Sequence, residues 1–186
     1  MKLASALALA FAFTASASAQ HAVEHKVLAT SKTSTMEKEL NDAAETGFRF
    51  QLVMGGESTF GGKEVVVIMT KGDETGRYSY KLLATSKTST MQKELQEASD
   101  RGYEYRGQTV FGSTFGGDEV VVLLERDKNG AGARFDYKLI ATSKTSTLEK
   151  EITEAGSAGY EIVGMTVGKT ALGGKELVAI TRKTRQ

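Results

Sequence analysis

The heptad Ala-Thr-Ser-Lys-Thr-Ser-Thr occurs three times without change, at residues 29–35, 84–90 and 141–147. Each copy brings one ammonium and several hydroxyls together: Lys32, Thr33 and Ser34; Lys87, Thr88 and Ser89; Lys144, Thr145 and Ser146. At the start of a helix such a group has a definite chemistry. Free backbone N–H groups and the positive end of the helix dipole would join the lysine and hydroxyls in holding a small anion or other polar ligand. The same residues also have a structural reading. The serine caps the helix, the threonines end a strand, and the lysine pairs with Glu64 on an adjacent strand. The glycine spacing of a phosphate-binding P-loop is absent.

Little else points to catalysis. There is no cysteine, and the two histidines, His21 and His25, lie near the start. His25 aligns with Tyr80 and Tyr137 of the later copies, which makes its position structural. No serine has a histidine partner in reach, and no acidic cluster has metal-ligand spacing. Gln20-His21 with His25 is a loose copper-type set on a flexible terminus. The expectation is therefore no enzyme, no metal and no cofactor. An enzyme built from carboxylates and lysines alone is the weakest alternative.

The heptads sit in larger repeats. Blocks 25–71, 80–126 and 137–183 align without a gap, so architecture follows from one unit and its copies. Each block reads as strand, helix, strand, strand. Ser34, Ser89 and Ser146 are N-cap candidates, with Glu37, Gln92 and Glu149 three residues on, which is the capping-box spacing. Met36, Leu40 and Ala43 share one helical face, and Lys38 and Asp42 meet on the wet side. Gly47, Gly102 and Gly159 end the helices. Glu39, Glu94 and Glu151 read as solvated helix glutamates.

The last strand of each block, at residues 65–69, 120–124 and 177–180, is apolar throughout and so is buried on both faces. That places it in the middle of its sheet, giving the strand order one-three-two with the first two strands parallel. The fold class is α+β: three tandem βαββ repeats packed as one domain, helices outside and sheets facing inward, around a pseudo-threefold axis in one arrangement. A 47-residue unit buries little surface alone, so the alternative is three beads that each pair with another chain. The topology also brings each heptad to the end of the unit that carries the hairpins Gly61-Gly62-Lys63-Glu64, Gly116-Gly117-Asp118-Glu119 and Gly173-Gly174-Lys175-Glu176. Phe60, Phe115 and Leu172, just before those glycines, are expected to tuck over the core.

Gly102-Tyr103-Glu104 and Gly159-Tyr160-Glu161-Ile162-Val163, with the opening Tyr80-Lys81-Leu82 and Tyr137-Lys138-Leu139, carry a resemblance. Each block resembles short bacterial domains of unknown function that have a Gly-(Trp/Tyr)-Glu-Leu-Val signature after a helix. The first copy departs from it, with His25 for the tyrosine and Phe48-Arg49 for Tyr-Glu. The resemblance implies a strand-helix-strand-strand fold and a tendency to associate; it implies no reaction.

Residues 1–19 read as a secretory signal peptide: Lys2, a short apolar run, then Ala17-Ser18-Ala19 before Gln20. The expected location is periplasmic or secreted, without membrane insertion after cleavage. The chain has 24 Lys+Arg and 23 Asp+Glu, and removing Lys2 leaves 23 of each. Formal neutrality argues against nucleic acid, which demands a clustered positive surface. The functional expectation is a non-enzymatic exported binding or structural module, with self-association through exposed strand edges. The alternative is a soluble binder of a small polar ligand at the three heptads.

Overall fold

The computed structural model describes residues 23–57, 63–113, 117–130, 132–169 and 174–185. Residues 1–19, expected to be a signal peptide, lie outside them with Gln20 and His21, as do Phe60, Phe115, Leu172, Gly61, Gly62, Gly116 and Gly173 of the expected hairpins. The first repeat contains β1 (His25–Thr30), α1 (Thr33–Glu45), β2 (Phe48–Glu57) and β3 (Lys63–Lys71). The second contains β4 (Tyr78–Thr85), α2 (Thr88–Asp100), β5 (Glu104–Ser113) and β6 (Gly117–Asp127). The third contains β7 (Phe135–Thr142), α3 (Thr145–Ser157), β8 (Glu161–Lys169) and β9 (Lys175–Thr184). The protein is thus α+β, with three helices and three three-stranded sheets.

In each sheet the apolar last strand lies in the centre, in the orders β1-β3-β2, β4-β6-β5 and β7-β9-β8. Both neighbours are antiparallel to it, so the outer two run parallel, as a helical crossover requires. A bulge between Phe50 and Leu52 shifts the register of β2, and the same break recurs between Tyr105 and Gly107 and between Ile162 and Gly164.

The helices form where the apolar spacing places them. Met36, Leu40 and Ala43 are buried, while Lys38 and Asp42 pair in solvent at 2.6 Å. Gly47, Gly102 and Gly159 end the helices at φ of 88°, 81° and 86°, a left-handed conformation that side chains resist. A lysine from the end of the central strand then caps the helix carboxyl end: Lys71 Nζ donates to Thr46 O and Lys183 Nζ to Ala158 O.

The helix starts differ from expectation. The N-cap residues are Lys32, Lys87 and Lys144, and none of the three helices has a side-chain cap. Ser34, Ser89 and Ser146 lie inside the first turn. The capping-box partners are drawn elsewhere, to the strand of the following repeat. Glu37 Oε2 accepts the Leu82 N–H at 2.8 Å. Asn41 accepts from the Tyr80 N–H and donates to its carbonyl. In the next repeat Gln92 accepts from Leu139 and donates to Tyr137 O, and Gln96 accepts from the Tyr137 N–H. Helices α1 and α2 therefore cover the open edge of the next sheet with side-chain hydrogen bonds, which satisfies backbone groups that an edge strand would otherwise leave bare.

The core is built across the repeat boundaries. One cluster joins Met36, Leu40, Phe50 and Val67 of repeat 1 to Tyr80, Val121 and Leu123 of repeat 2. The next joins Met91, Leu95, Tyr105 and Val122 of repeat 2 to Phe135, Tyr137 and Ile180 of repeat 3. The third cluster, with Ile140, Leu148, Ala155 and Ala179, draws on repeat 3 alone. Each sheet thus has a front, which faces its own helix, and a back; the fronts of repeats 1 and 2 receive the backs of repeats 2 and 3. The principal contacts among the described residues run in series from repeat 1 to 2 to 3. A pseudo-threefold closure would also call for contacts between repeats 1 and 3, and the principal contacts among the described residues do not include them.

Candidate functional site

The heptads lie where a helix follows a strand. Thr30, Thr85 and Thr142 accept, through Oγ1, the N–H groups of Lys32, Lys87 and Lys144 at 3.2 Å, a turn that threonine favours. Lys32, Lys87 and Lys144 and the serines Ser34, Ser89 and Ser146 are exposed. Thr33 and Thr88 are half-buried, and Thr145 is exposed. The difference follows the stack. Thr88 Oγ1 donates to Glu176 Oε1 at 2.6 Å, so the second heptad meets the hairpin of the third repeat. Glu64, expected beside Lys32, forms no ion pair with it among the described residues. Glu94, expected in solvent, is half-buried, with one carboxylate oxygen enclosed and without a hydrogen-bond partner.

Two features were not drawn from the sequence. The first is a pair of adjoining clefts at the opposite helix ends. One, of about 520 Å³, is lined by Arg101, Arg126, Lys128 and Arg134 together with Asp100 and Asp127. The acidic groups there are engaged: Asp100 with Arg185 at 3.0 Å and Asp127 with Arg77 at 2.6 Å. Hydrogen bonding from Arg77 holds the Asp127 carboxyl down at about 2. The Arg126 Nε is buried without a hydrogen-bond partner. The second cleft, of about 250 Å³, contains Arg49, Arg77, Tyr78 and Glu125. Arg49 lies 4.1 Å from the Tyr78 ring centre. Its guanidinium donates through Nε and Nη2 to both carboxylate oxygens of Glu125, which is 5% exposed. The Tyr80 hydroxyl also donates to Glu125 and accepts the Phe50 N–H at the bulge. Burial raises the Tyr80 phenol well above its usual range, and the nearby Glu125 charge adds to this. It stays a donor at every ordinary pH. The arginines are visible in the sequence, but their convergence depends on how one repeat seats on the next.

The second feature is a pair of open apolar faces. The back of repeat 1 presents Val27, Ile68 and Leu52 in one cross-strand row, with Val66 and Met54 in the next. Val27, Leu52 and Met54 are 63%, 66% and 63% exposed. The front of repeat 3 presents Ile162, Met165 and Val167 on β8, the first two 57% and 61% exposed. The sequence carried one sign of this. Leu52 aligns with Gly107 and Gly164, so a large side chain stands in the first copy where the later two have none.

Chemically, the described residues offer surfaces, ion pairs and three uncapped helix starts. No group of three His, Asp or Glu side chains among them is placed to hold a metal ion. No family model, curated protein or solved structure matches this chain.

Proposed function

We propose that this protein is an exported, non-enzymatic repeat module that acts through its surfaces, its three repeats folding as one cooperative body. The observation that carries this is the pair of open apolar faces at the two ends of a stack whose other such faces are buried. Contiguous exposed apolar surface on a charge-balanced protein marks a place of contact. Cooperativity is supported by the two clusters shared between repeats, which no repeat can leave without baring its core. The helices keep a wet outer side, as Lys38 and Asp42 illustrate. Export rests on the leader pattern at residues 1–19; no helix of the described residues is long and apolar enough to cross a membrane. The resemblance to Gly-(Trp/Tyr)-Glu-Leu-Val domains agrees with a module that associates. A screen of generic ester, phosphoester and glycoside substrates is expected to give no turnover above background. Turnover that a single substitution abolishes would overturn this reading.

A second reading is favoured by the uncapped helix starts. At all three heptads the backbone N–H groups lack a side-chain cap, and the exposed lysines make no ion pair among the described residues. A small anion would satisfy both. The triple variant Lys32→Ala, Lys87→Ala, Lys144→Ala is then expected to lose phosphate or sulfate binding in calorimetry while its melting curve stays unchanged. Equal binding by the variant ends that reading.

A further inference from the structure

The two open faces correspond to the two sides of the junctions inside the chain. Within the chain the front of repeat 1 receives the back of repeat 2, and the front of repeat 2 receives the back of repeat 3. What stays open is the back of repeat 1 and the front of repeat 3. We infer that a second copy of the chain covers them, head to tail, with the back of its repeat 1 seated on the front of repeat 3. This rests on the surface-acting reading and gives it a partner.

Side-chain size supports the pairing. Inside the chain a front aromatic meets a back glycine. A Cβ on Gly107 would lie 3.4 Å from the Phe50 ring, and one on Gly164 would collide with the Tyr105 hydroxyl. At the two open faces both partners change together. Ile162 stands in the aromatic position and Leu52 in the glycine position. A large residue against none is replaced by two of middle size, so a contact there fills comparable space.

The strand edge supports it too. Glu37 and Gln92 each accept the N–H of the aligned strand residue in the next repeat, Leu82 and Leu139. Glu149 holds the same helix position, exposed, and Val27 holds the same strand position on β1, an edge strand. Charge does not oppose the contact. Glu161, in the position of Arg49 and Glu104, is already paired with Arg182 of its own repeat at 2.6 Å, and the aligned partner position in the second copy of the chain is the uncharged Thr70. One clamp is missing: Thr153 replaces Asn41 and Gln96 and donates to the carbonyl of Glu149 in its own helix. The contact is therefore weaker than the internal junctions, and forms as concentration rises. Because it joins unlike faces it does not stop at two chains; it closes into a ring or runs on as a filament, as the rotation per chain dictates.

Sedimentation velocity of the full chain over a wide concentration series tests this. Wild type is expected to pass from monomer to species larger than a dimer. The pair Leu52→Glu with Met54→Glu blocks one face, and Ile162→Glu with Met165→Glu blocks the other. All four side chains are largely exposed, so circular dichroism is expected to show both variants folded. Each variant alone is expected to stay monomeric, and an equimolar mixture to form one-to-one dimers and nothing larger. A wild type that stays monomeric overturns the head-to-tail contact and leaves the surface-acting reading standing. Association abolished by one pair and untouched by the other shows a two-fold contact and also overturns it. Association insensitive to both pairs points to the apolar segment at residues 3–13 and overturns the head-to-tail contact as well. An enzymatic turnover would sink the surface-acting reading without altering any sedimentation result.

Discussion

The junction between repeats 1 and 2 and the junction between repeats 2 and 3 use the same positions with opposite charge. At the first, Arg49 of repeat 1 meets Glu125 of repeat 2, with 2.8 Å between Nη2 and Oε1. At the second, Glu104 of repeat 2 meets Arg182 of repeat 3, again at 2.8 Å. Both junctions place a tyrosine hydroxyl on the bulge N–H of the preceding repeat, Tyr80 on Phe50 and Tyr137 on Tyr105. The tyrosine contact and the helix-to-edge bonds are thus shared; the second junction adds bonds from Ser99 to Phe135 and from Thr88 to Glu176, and the charge of the ion pair is reversed. Seating repeat 3 on repeat 1 would set Arg182 against Arg49, and seating one copy of repeat 2 on another would set Glu125 against Glu104. Near-identical modules face the hazard of stacking in the wrong order. Reversing one ion pair penalises the wrong orders more than it strengthens the right one.

The largest effect expected separates the junctions from the open end. Leu40, Leu95 and Ile152 are aligned, and the first two are fully buried beneath the following repeat while Ile152 is only partly buried. Leu40→Ala and Leu95→Ala are expected to cost about 3 kcal/mol each, within the range of buried leucine truncations. Ile152→Ala is expected to cost about 1 kcal/mol, since no repeat covers it. Urea unfolding followed by circular dichroism measures all three. One transition shifted as a whole is the expected form for a cooperative stack. Separate transitions, with only one displaced, would favour three independent beads.

Charge reversal comes next in size. Arg49→Glu places a carboxylate against the buried Glu125 and is expected to cost about 2 kcal/mol, moderated because Arg49 is itself partly exposed. Adding Glu125→Arg rebuilds the polarity of the second junction and is expected to recover about 1 kcal/mol as coupling in a double-mutant cycle. Recovery is incomplete because Arg106 lies 3.7 Å from Glu125 and would meet the new arginine. Zero coupling would mean that the pair does not order the repeats.

Much of this was legible from residue pattern. The helix stripe of Met36, Leu40 and Ala43, the glycine stops, the central apolar strand and the strand order follow from local periodicity, and the structure has them. The placing of Glu37 and Gln92 was not legible, because a capping box and an edge clamp ask for the same residue types at the same spacing. The choice between them is made by a strand of the next repeat, 45 and 47 residues away. The arginine clefts and open faces share that origin. They are properties of the stack, and one repeat read alone does not contain them.

The smallest effect expected decides between clamp and cap. A capping box acts within its own helix, so alanine at positions 37, 92 and 149 would cost the same in each repeat. A clamp acts only where a following strand exists. Glu37→Ala and Gln92→Ala would leave the Leu82 and Leu139 N–H groups without their acceptors at a partly buried edge, costing about 1 kcal/mol each. Glu149→Ala is expected to change stability by no more than a few tenths of a kcal/mol at low protein concentration, as surface substitutions do, because no strand of the described residues lies against its exposed carboxylate. Amide exchange gives the sharper reading: Leu82 and Leu139 N–H are expected to lose protection in the first two variants, while no amide near α3 changes in the third. Equal losses at all three positions would restore the capping box and remove the helix-to-edge bond from the means by which these repeats recognise one another.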